Sequence, residues 1–197
     1  MMYQLFSATL SVVIGCCLIA CQSNSVGIET ETANYKAIAD SLYNLAQKQT
    51  DPVAALQTLN AAIRYAPDSY LLYLDRGATK INLLMFEEAI PDLLRVLSLH
   101  PNDEKAYLNL AIAANNLEQF DKGIAYADTA IKINPNWGMA YFIRGESYLF
   151  KGDTARLCAE LQQAMKLNFQ EAQQRALMYC ATDHQTIPTF LKFTPKK

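Results

Sequence analysis

The chain has 197 residues, with 17 Lys and Arg against 19 Asp and Glu, for a net charge of −2. Such a balance leaves no basic stripe and argues against nucleic acid as a partner. Apolar residues make up 51% and charged residues 18%, a composition suited to a packed domain rather than to a disordered chain.

In chain order, the first signal is the run 5–20, almost entirely apolar or small and followed by Cys21 and the polar Gln22-Ser23-Asn24-Ser25. A run this short with polar flanks predicts a secretory signal rather than a membrane-spanning helix. Leu18-Ile19-Ala20-Cys21 resembles the bacterial lipobox. The resemblance implies cleavage before Cys21, lipidation of that cysteine and a mature chain that begins there. Met1-Met2-Tyr3-Gln4 carries no Lys or Arg, so an ordinary signal peptide or a plain N-terminal anchor stands as the alternative. Gln22 after the cysteine implies, by the enterobacterial sorting rule, an outer-membrane anchor facing the periplasm. Residues 21–35 are expected to be the lipidated cysteine and a flexible tether reaching some ~20 Å.

Pro67, Pro101 and Pro135 are spaced 34 residues apart. A fixed period of this size means that each block is one supersecondary unit that buries its apolar face only by stacking on its neighbours. The blocks are 36–69, 70–103, 104–137 and 138–171. Their fourth positions read Ala39, Tyr73, Tyr107 and Tyr141, and their eighth Tyr43, Gly77, Ala111 and Gly145. The twentieth read Ala55, Ala89, Gly123 and Leu157, and the twenty-seventh Ala62, Val96, Ala130 and Ala164. Two antiparallel helices approach closely where side chains are small, which the eighth and twentieth positions supply. Leu93, Val96 and Leu97, then Ala127, Ala130 and Ile131, form apolar stripes on second helices. The junctions Pro67-Asp68-Ser69, Pro101-Asn102-Asp103 and Pro135-Asn136 stop one helix and offer a cap to the next. The outer blocks depart from the pattern, as end repeats do, with Tyr43 and Pro52 in the first and Leu157 and Phe169 in the last. Pro91 falls inside a second helix and is expected to bend it slightly.

Together these positions resemble the tetratricopeptide repeat over roughly 136 of the 197 residues. The resemblance implies an all-α, right-handed solenoid of about four helix–turn–helix units. Residues 172–184 continue at helical spacing and are expected to cap the stack, with 185–197 as a tail. Cys158 and Cys180 stand equally far from a turn near residue 169, so a disulfide and two buried free thiols are both open readings.

In tetratricopeptide proteins the second, fifth, ninth, twelfth and thirteenth positions face a concave groove. Here they are Leu71, Leu74, Ala78, Ile81 and Asn82, then Lys105, Leu108, Ile112, Asn115 and Asn116, then Met139, Phe142, Glu146, Leu149 and Phe150. The resemblance implies a largely aliphatic groove with an asparagine ladder, suited to a peptide or helix of a partner protein. Leu74, Ala78, Met139 and Ile143 stand where a carboxylate clamp would want polar residues, so capture of a C-terminal carboxylate is not expected. The tail segment Ile187–Phe193 is an alternative occupant of the groove.

No Gly-rich phosphate loop, zinc motif or nucleophile–base spacing is present in the chain. His100 lies in a repeat junction, and Asp183-His184 near Cys180 do not make an active site by spacing alone. The sequence therefore predicts no enzyme, no cofactor, no metal and no small-molecule substrate. It predicts a membrane-anchored adaptor for another envelope protein, with an assembly subunit of an envelope machine as the second reading.

Overall fold

A computed structural model describes residues 31–180. Helix α1 covers 31–48. It is followed by α2 (Pro52–Tyr65), α3 (Tyr70–Asn82), α4 (Phe86–Leu99), α5 (Glu104–Asn116), α6 (Phe120–Ile133), α7 (Gly138–Phe150), α8 (Thr154–Lys166) and α9 (Glu171–Tyr179). No strand occurs among the described residues. Helices α3, α5 and α7 begin at the first position of their 34-residue blocks. Each pairs with the helix that follows it, and each second helix packs on the next first helix, which gives an all-α solenoid.

Helix α1 begins inside the segment expected to be a flexible tether, since 31–35 are already helical. The Tyr35 ring lies 6.0 Å from that of Tyr65 on α2, a contact that holds the extra turn in place. At the far end, α9 covers the first part of the expected cap, Cys180 terminates it, and 181–184 and the tail lie outside the described residues.

The small positions do what their spacing requires. A Cβ on Gly77 would meet Leu93 Cδ2 at 2.9 Å, and one on Gly145 would meet Glu160 Cβ at 3.2 Å. Ala89, Ala111, Ala127 and Ala130 are fully buried; Leu93, Val96 and Leu110 lie in one core cluster, and Leu157 and Leu161 in another toward α9. The fourth-position tyrosines also close the junctions, because the Tyr73 and Tyr141 hydroxyls donate to the carbonyls of Pro67 and Pro135, each at 3.0 Å. Capping is less regular than expected. Asp103 accepts from Ala106 N at 2.7 Å, but Ser69 makes no such bond, and Trp137 rather than Asn136 precedes α7. Asp51 caps α2 instead, accepting from Val53 N and Ala54 N, with Pro52 in the first turn where a missing N–H is harmless. Pro91 sits within the continuous helix α4 on an exposed face.

Two repeating devices are not evident from the apolar pattern. The turns inside the second, third and fourth repeats all place one residue in the left-handed region, Leu84 (φ 60°), Glu118 (φ 58°) and Gly152 (φ 76°). Each turn closes with the same pair of backbone bonds, such as Leu84 N to Ile81 O at 2.9 Å and Met85 N to Lys80 O at 2.8 Å. The second device is ionic. Arg76 holds the buried Asp92 through contacts of 2.9 and 2.5 Å and reaches back to Asn60 on α2, while Lys80 binds the same carboxylate at 2.8 Å. Two repeats later Arg144 holds Glu160 at 2.8 Å and reaches back to Asp128 on α6. Burial penalises the Arg144 charge, but hydrogen bonds to Glu160 and Asp128 win and raise its pKa. The central repeat fills the same two positions with Leu110 and Tyr126, both packed in the apolar core.

Cys158 and Cys180 form a disulfide, with Cα atoms 5.7 Å apart. It ties α9 to α8 and leaves Cys180 unavailable as a nucleophile.

Candidate functional site: the face of the first helices

Helix α3 packs against α5, and α5 against α7, so the first helices adjoin one another along one side of the solenoid. Second helices pack chiefly on first helices. This asymmetry makes the first-helix side the inner face, and it is where the predicted groove residues lie.

The groove residues divide into three groups. Leu71, Asn82, Lys105, Asn116 and Phe150 are exposed, and Ala78, Ile112, Met139, Phe142, Glu146 and Leu149 are half-buried. Leu74, Ile81, Leu108 and Asn115 are buried in the core, which corrects the expectation that they line an open groove. Leu74 and Ile81 pack with Leu93 and Leu110 between neighbouring helices. Leu108, only 2% exposed, packs with Ala130 and Ala140, and Trp137 at the junction and Met139 and Ile143 of the following repeat pack on the same cluster. The small residue at Ala140 draws the two first helices together, and that approach encloses the fifth position.

The expected asparagine ladder is also different. Asn115 Oδ1 accepts from Ser147 Oγ at 2.8 Å, inside the interface with α7, and a Cβ on Gly123 would strike that oxygen. Asn116 Nδ2 donates to Ile112 O of its own helix at 2.9 Å. Asn82 lines a cleft.

The far end of the face is closed by the cap. Arg175 of α9 pairs with Glu146, Nε to Oε1 at 2.9 Å without hydrogen-bond alignment and Nη2 to Oε2 at 3.0 Å with it. Burial pushes the Glu146 carboxyl up, and Arg175 opposes that shift. Phe142 packs on Phe169 with ring centres 5.2 Å apart, and the Arg175 guanidinium stands 5.9 Å from the Phe142 ring. The groove is thus covered at Phe142 and Glu146, by Phe169 of the α8–α9 turn and by Arg175 of α9.

The opposite end is open and polar. A cleft of about 300 Å³ lies between α1, α2 and α3, lined by residues that include Gln47, Gln49, Thr50, Asp75, Thr79 and Asn82. Gln47 Nε2 donates to Asp75 Oδ2, and the Tyr43 hydroxyl hydrogen-bonds the same carboxylate. Burial pushes the Asp75 carboxyl above its usual range, against the pull of Tyr43, Lys105 and Gln47. Burial, reinforced by Asp75, raises the Tyr43 phenol to about 12. Gln47 occupies the twelfth position of the first block, so the position rule that marks Ile81 and Asn115 also marks Gln47 in the first repeat. Asp75 follows a groove position and carried no separate signal.

Among the described residues no group of three or more His, Cys, Asp or Glu side chains is placed to hold a metal ion. His100 packs against Tyr70 with centroids 3.8 Å apart and ring planes tilted by 37°, a packing contact rather than a nucleophile–base arrangement. No helix of the described residues is long and apolar enough to cross a membrane.

Comparison with known proteins agrees with this geometry. A family model described as "Tetratricopeptide repeat" matches residues 104–136. A STIP1 homolog of Dictyostelium discoideum is 29% identical over 92 residues, covering 47% of this chain and 16% of its own length. The small glutamine-rich tetratricopeptide repeat-containing protein of the same organism is 30% identical over 112 residues, covering 55% of this chain and 34% of its own. The chain thus spans about a third or less of the length of these curated relatives. The crystal structure of MamA superposes with a TM-score of 0.60 at 23% identity, over 68% of this chain and 80% of that one. TTC0263, a tetratricopeptide protein of Thermus thermophilus, gives 0.59 at 19% identity, over 75% and 82%. With its 34-residue helix pairs, close small-residue crossings and matched repeat over 104–136, the chain is a tetratricopeptide repeat protein.

Proposed function

We propose that the chain is a non-catalytic adaptor that binds a partner protein on its first-helix face and is held at a bacterial envelope membrane by lipid on Cys21. The observation that carries the binding part is the continuity of that face, where α3, α5 and α7 adjoin and leave Leu71, Asn82, Lys105 and Asn116 exposed beside half-buried Ile112 and Met139. Mixed amide, charged and apolar surface of this kind suits an extended peptide or a helix, with apolar contacts supplying burial and polar groups fixing register. The contact zone is narrower than the full array, because Phe169 and Arg175 cover Phe142 and Glu146.

One further relative is the Hsp70-Hsp90 organizing protein of wheat, 25% identical over 93 residues. Leu74 is buried here, and Ala78 and Met139 offer no charge where a carboxylate clamp needs it, so the partner is not read through its C-terminal carboxylate. The anchoring part rests on the apolar run 5–20 followed by Leu18-Ile19-Ala20-Cys21, and Gln22 favours an outer-membrane anchor facing the periplasm.

A photo-crosslinking amino acid at Leu71, Lys105 or Asn116 tests the first claim in intact envelopes, with exposed Leu94 on α4 as control. One protein captured from the first three positions and not from Leu94 is expected. Equal capture from Leu94 would place the interface elsewhere. Radiolabelled palmitate and membrane fractionation test the second, since Cys21→Ala is expected to lose both label and membrane association.

A further inference from the structure

The open cleft at the N-terminal end of the first-helix face has an unequal supply of hydrogen-bonding groups. Asp75 is the single charged residue in its lining. Gln47, the amide that could donate into the cleft from α1, spends its Nε2 on that carboxylate. Gln49 Oε1 is buried and has no hydrogen-bond partner among the described residues. Thr79 directs its hydroxyl to the Asp75 carbonyl of its own helix at 2.7 Å, so its hydrogen is not offered outward. What remains is an unpartnered amide oxygen beside a half-buried carboxylate that already accepts from Gln47 and Tyr43, in a cleft of about 300 Å³ whose wall holds no cation. That volume is at the small end for ligand pockets and fits one long side chain rather than a drug-sized molecule.

We propose that this cleft is a specificity subsite for a cationic side chain, lysine or arginine, carried by the partner segment that lies along the first-helix face. The inference rests on the reading of that face as a protein-binding groove. A cationic, donor-rich side chain reaches both the unpartnered Gln49 oxygen and the Asp75 carboxylate, and a charge-assisted bond there is stronger than a neutral one. The walls Ala46, Ala55, Leu59 and Ala78 pack against the aliphatic stem of such a side chain. Lys105 on the next first helix attracts the same carboxylate from outside the lining and therefore competes with an incoming cation.

The test uses the full chain and three blocked pentapeptides, Ala-Ala-X-Ala-Ala, with arginine, lysine or norleucine at X, titrated while backbone amide shifts are recorded. Arginine or lysine peptides are expected to shift the amides of Gln47, Gln49, Thr50 and Thr79 and to bind about tenfold more tightly than the norleucine peptide. Asp75→Asn, which keeps the shape, is expected to abolish that preference, and Lys105→Ala to strengthen cation binding. Equal binding of all three peptides, shifts confined to α5 and α7, or no shift with any peptide would overturn the subsite. Shifts confined to α5 and α7 would leave the protein-binding face intact. Loss of position-specific capture at Leu71, Lys105 and Asn116 would sink that broader reading instead.

Discussion

The left-handed turns invite a reciprocal swap. Leu84 is bulky, sits at φ 60° and is 73% exposed, so its side chain gains little from burial while its backbone is held where L-residues are disfavoured. Holding a residue with a Cβ there costs about 1–2 kcal/mol. Glycine removes that cost but gives the unfolded chain more freedom, worth about 0.5–1 kcal/mol in the other direction. Leu84→Gly is therefore expected to stabilise the array by about 0.5–1 kcal/mol, or roughly 1–4 °C in Tm for a domain of this size. Gly152→Leu runs the exchange backwards at φ 76°, and nothing lies within 4 Å of the Cβ it would add, so its loss of similar size is purely conformational. Circular dichroism melts and urea titrations with an unchanged m-value read both variants. A lower Tm for Leu84→Gly, or no loss for Gly152→Leu, would refute the argument that backbone strain rather than side-chain contact sets these positions.

Leu108→Ala is expected to cost about 3 kcal/mol and Leu108→Asp to abolish the cooperative melt, since the site is 2% exposed; retention of a wild-type melt by Leu108→Asp would return the residue to the groove. Arg76→Leu leaves Asp92, 4% exposed, with Lys80 as its remaining ion partner, and is expected to cost about 3 kcal/mol in urea titration. Adding Asp92→Tyr, the pairing that the central repeat uses, is expected to recover most of it. The joint replacement Cys158→Ser and Cys180→Ser opens a link across 22 positions and is expected to lower stability by about 3 kcal/mol on loop entropy, with faster proteolysis of α9. Asp75 has a raised folded-state pKa, so the native state holds its proton more tightly than the unfolded chain does. Its effect on stability thus becomes unfavourable as pH rises from the ordinary carboxylate range through the raised value. The Tm difference between Asp75→Asn and wild type is expected to grow in favour of the variant over that range and to level off above it.

Repeat register was legible because Pro67, Pro101 and Pro135 recur at one spacing and fall in the turns between helices, unlike the single Pro91 inside α4, and because Gly77, Ala111 and Gly145 stand where helices cross closely. The face of the first helices was legible as a location but not in its membership. Position rules say which way a side chain leaves its own helix, and they do not say how near the next helix comes. Ala140 brings that neighbour close enough to enclose Leu108, and Ser147 gives Asn115 an internal partner. The ionic pairs carried a signal that apolar periodicity ignores: Arg76 with Asp92 and Arg144 with Glu160 recur two repeats apart, with Leu110 and Tyr126 between them. The turn residues were opaque for a different reason, since Leu84 and Glu118 give no local hint of the backbone that Gly152 adopts with ease.

The disulfide gives the array a mechanical polarity. A solenoid whose units touch only their neighbours comes apart from its ends, because an end unit has one interface to lose where an inner unit has two. Cys158–Cys180 rivets the last repeat to its cover and leaves the α1–α2 pair as the unfastened end of the described residues. Under tension the stack would unzip from α1 toward α8, so the segment that yields first is the one next to the proposed lipid anchor. The polar cleft between α1, α2 and α3 would be dismantled before any of the core around Leu110, and a cargo seated there would be let go while most of the scaffold still stood.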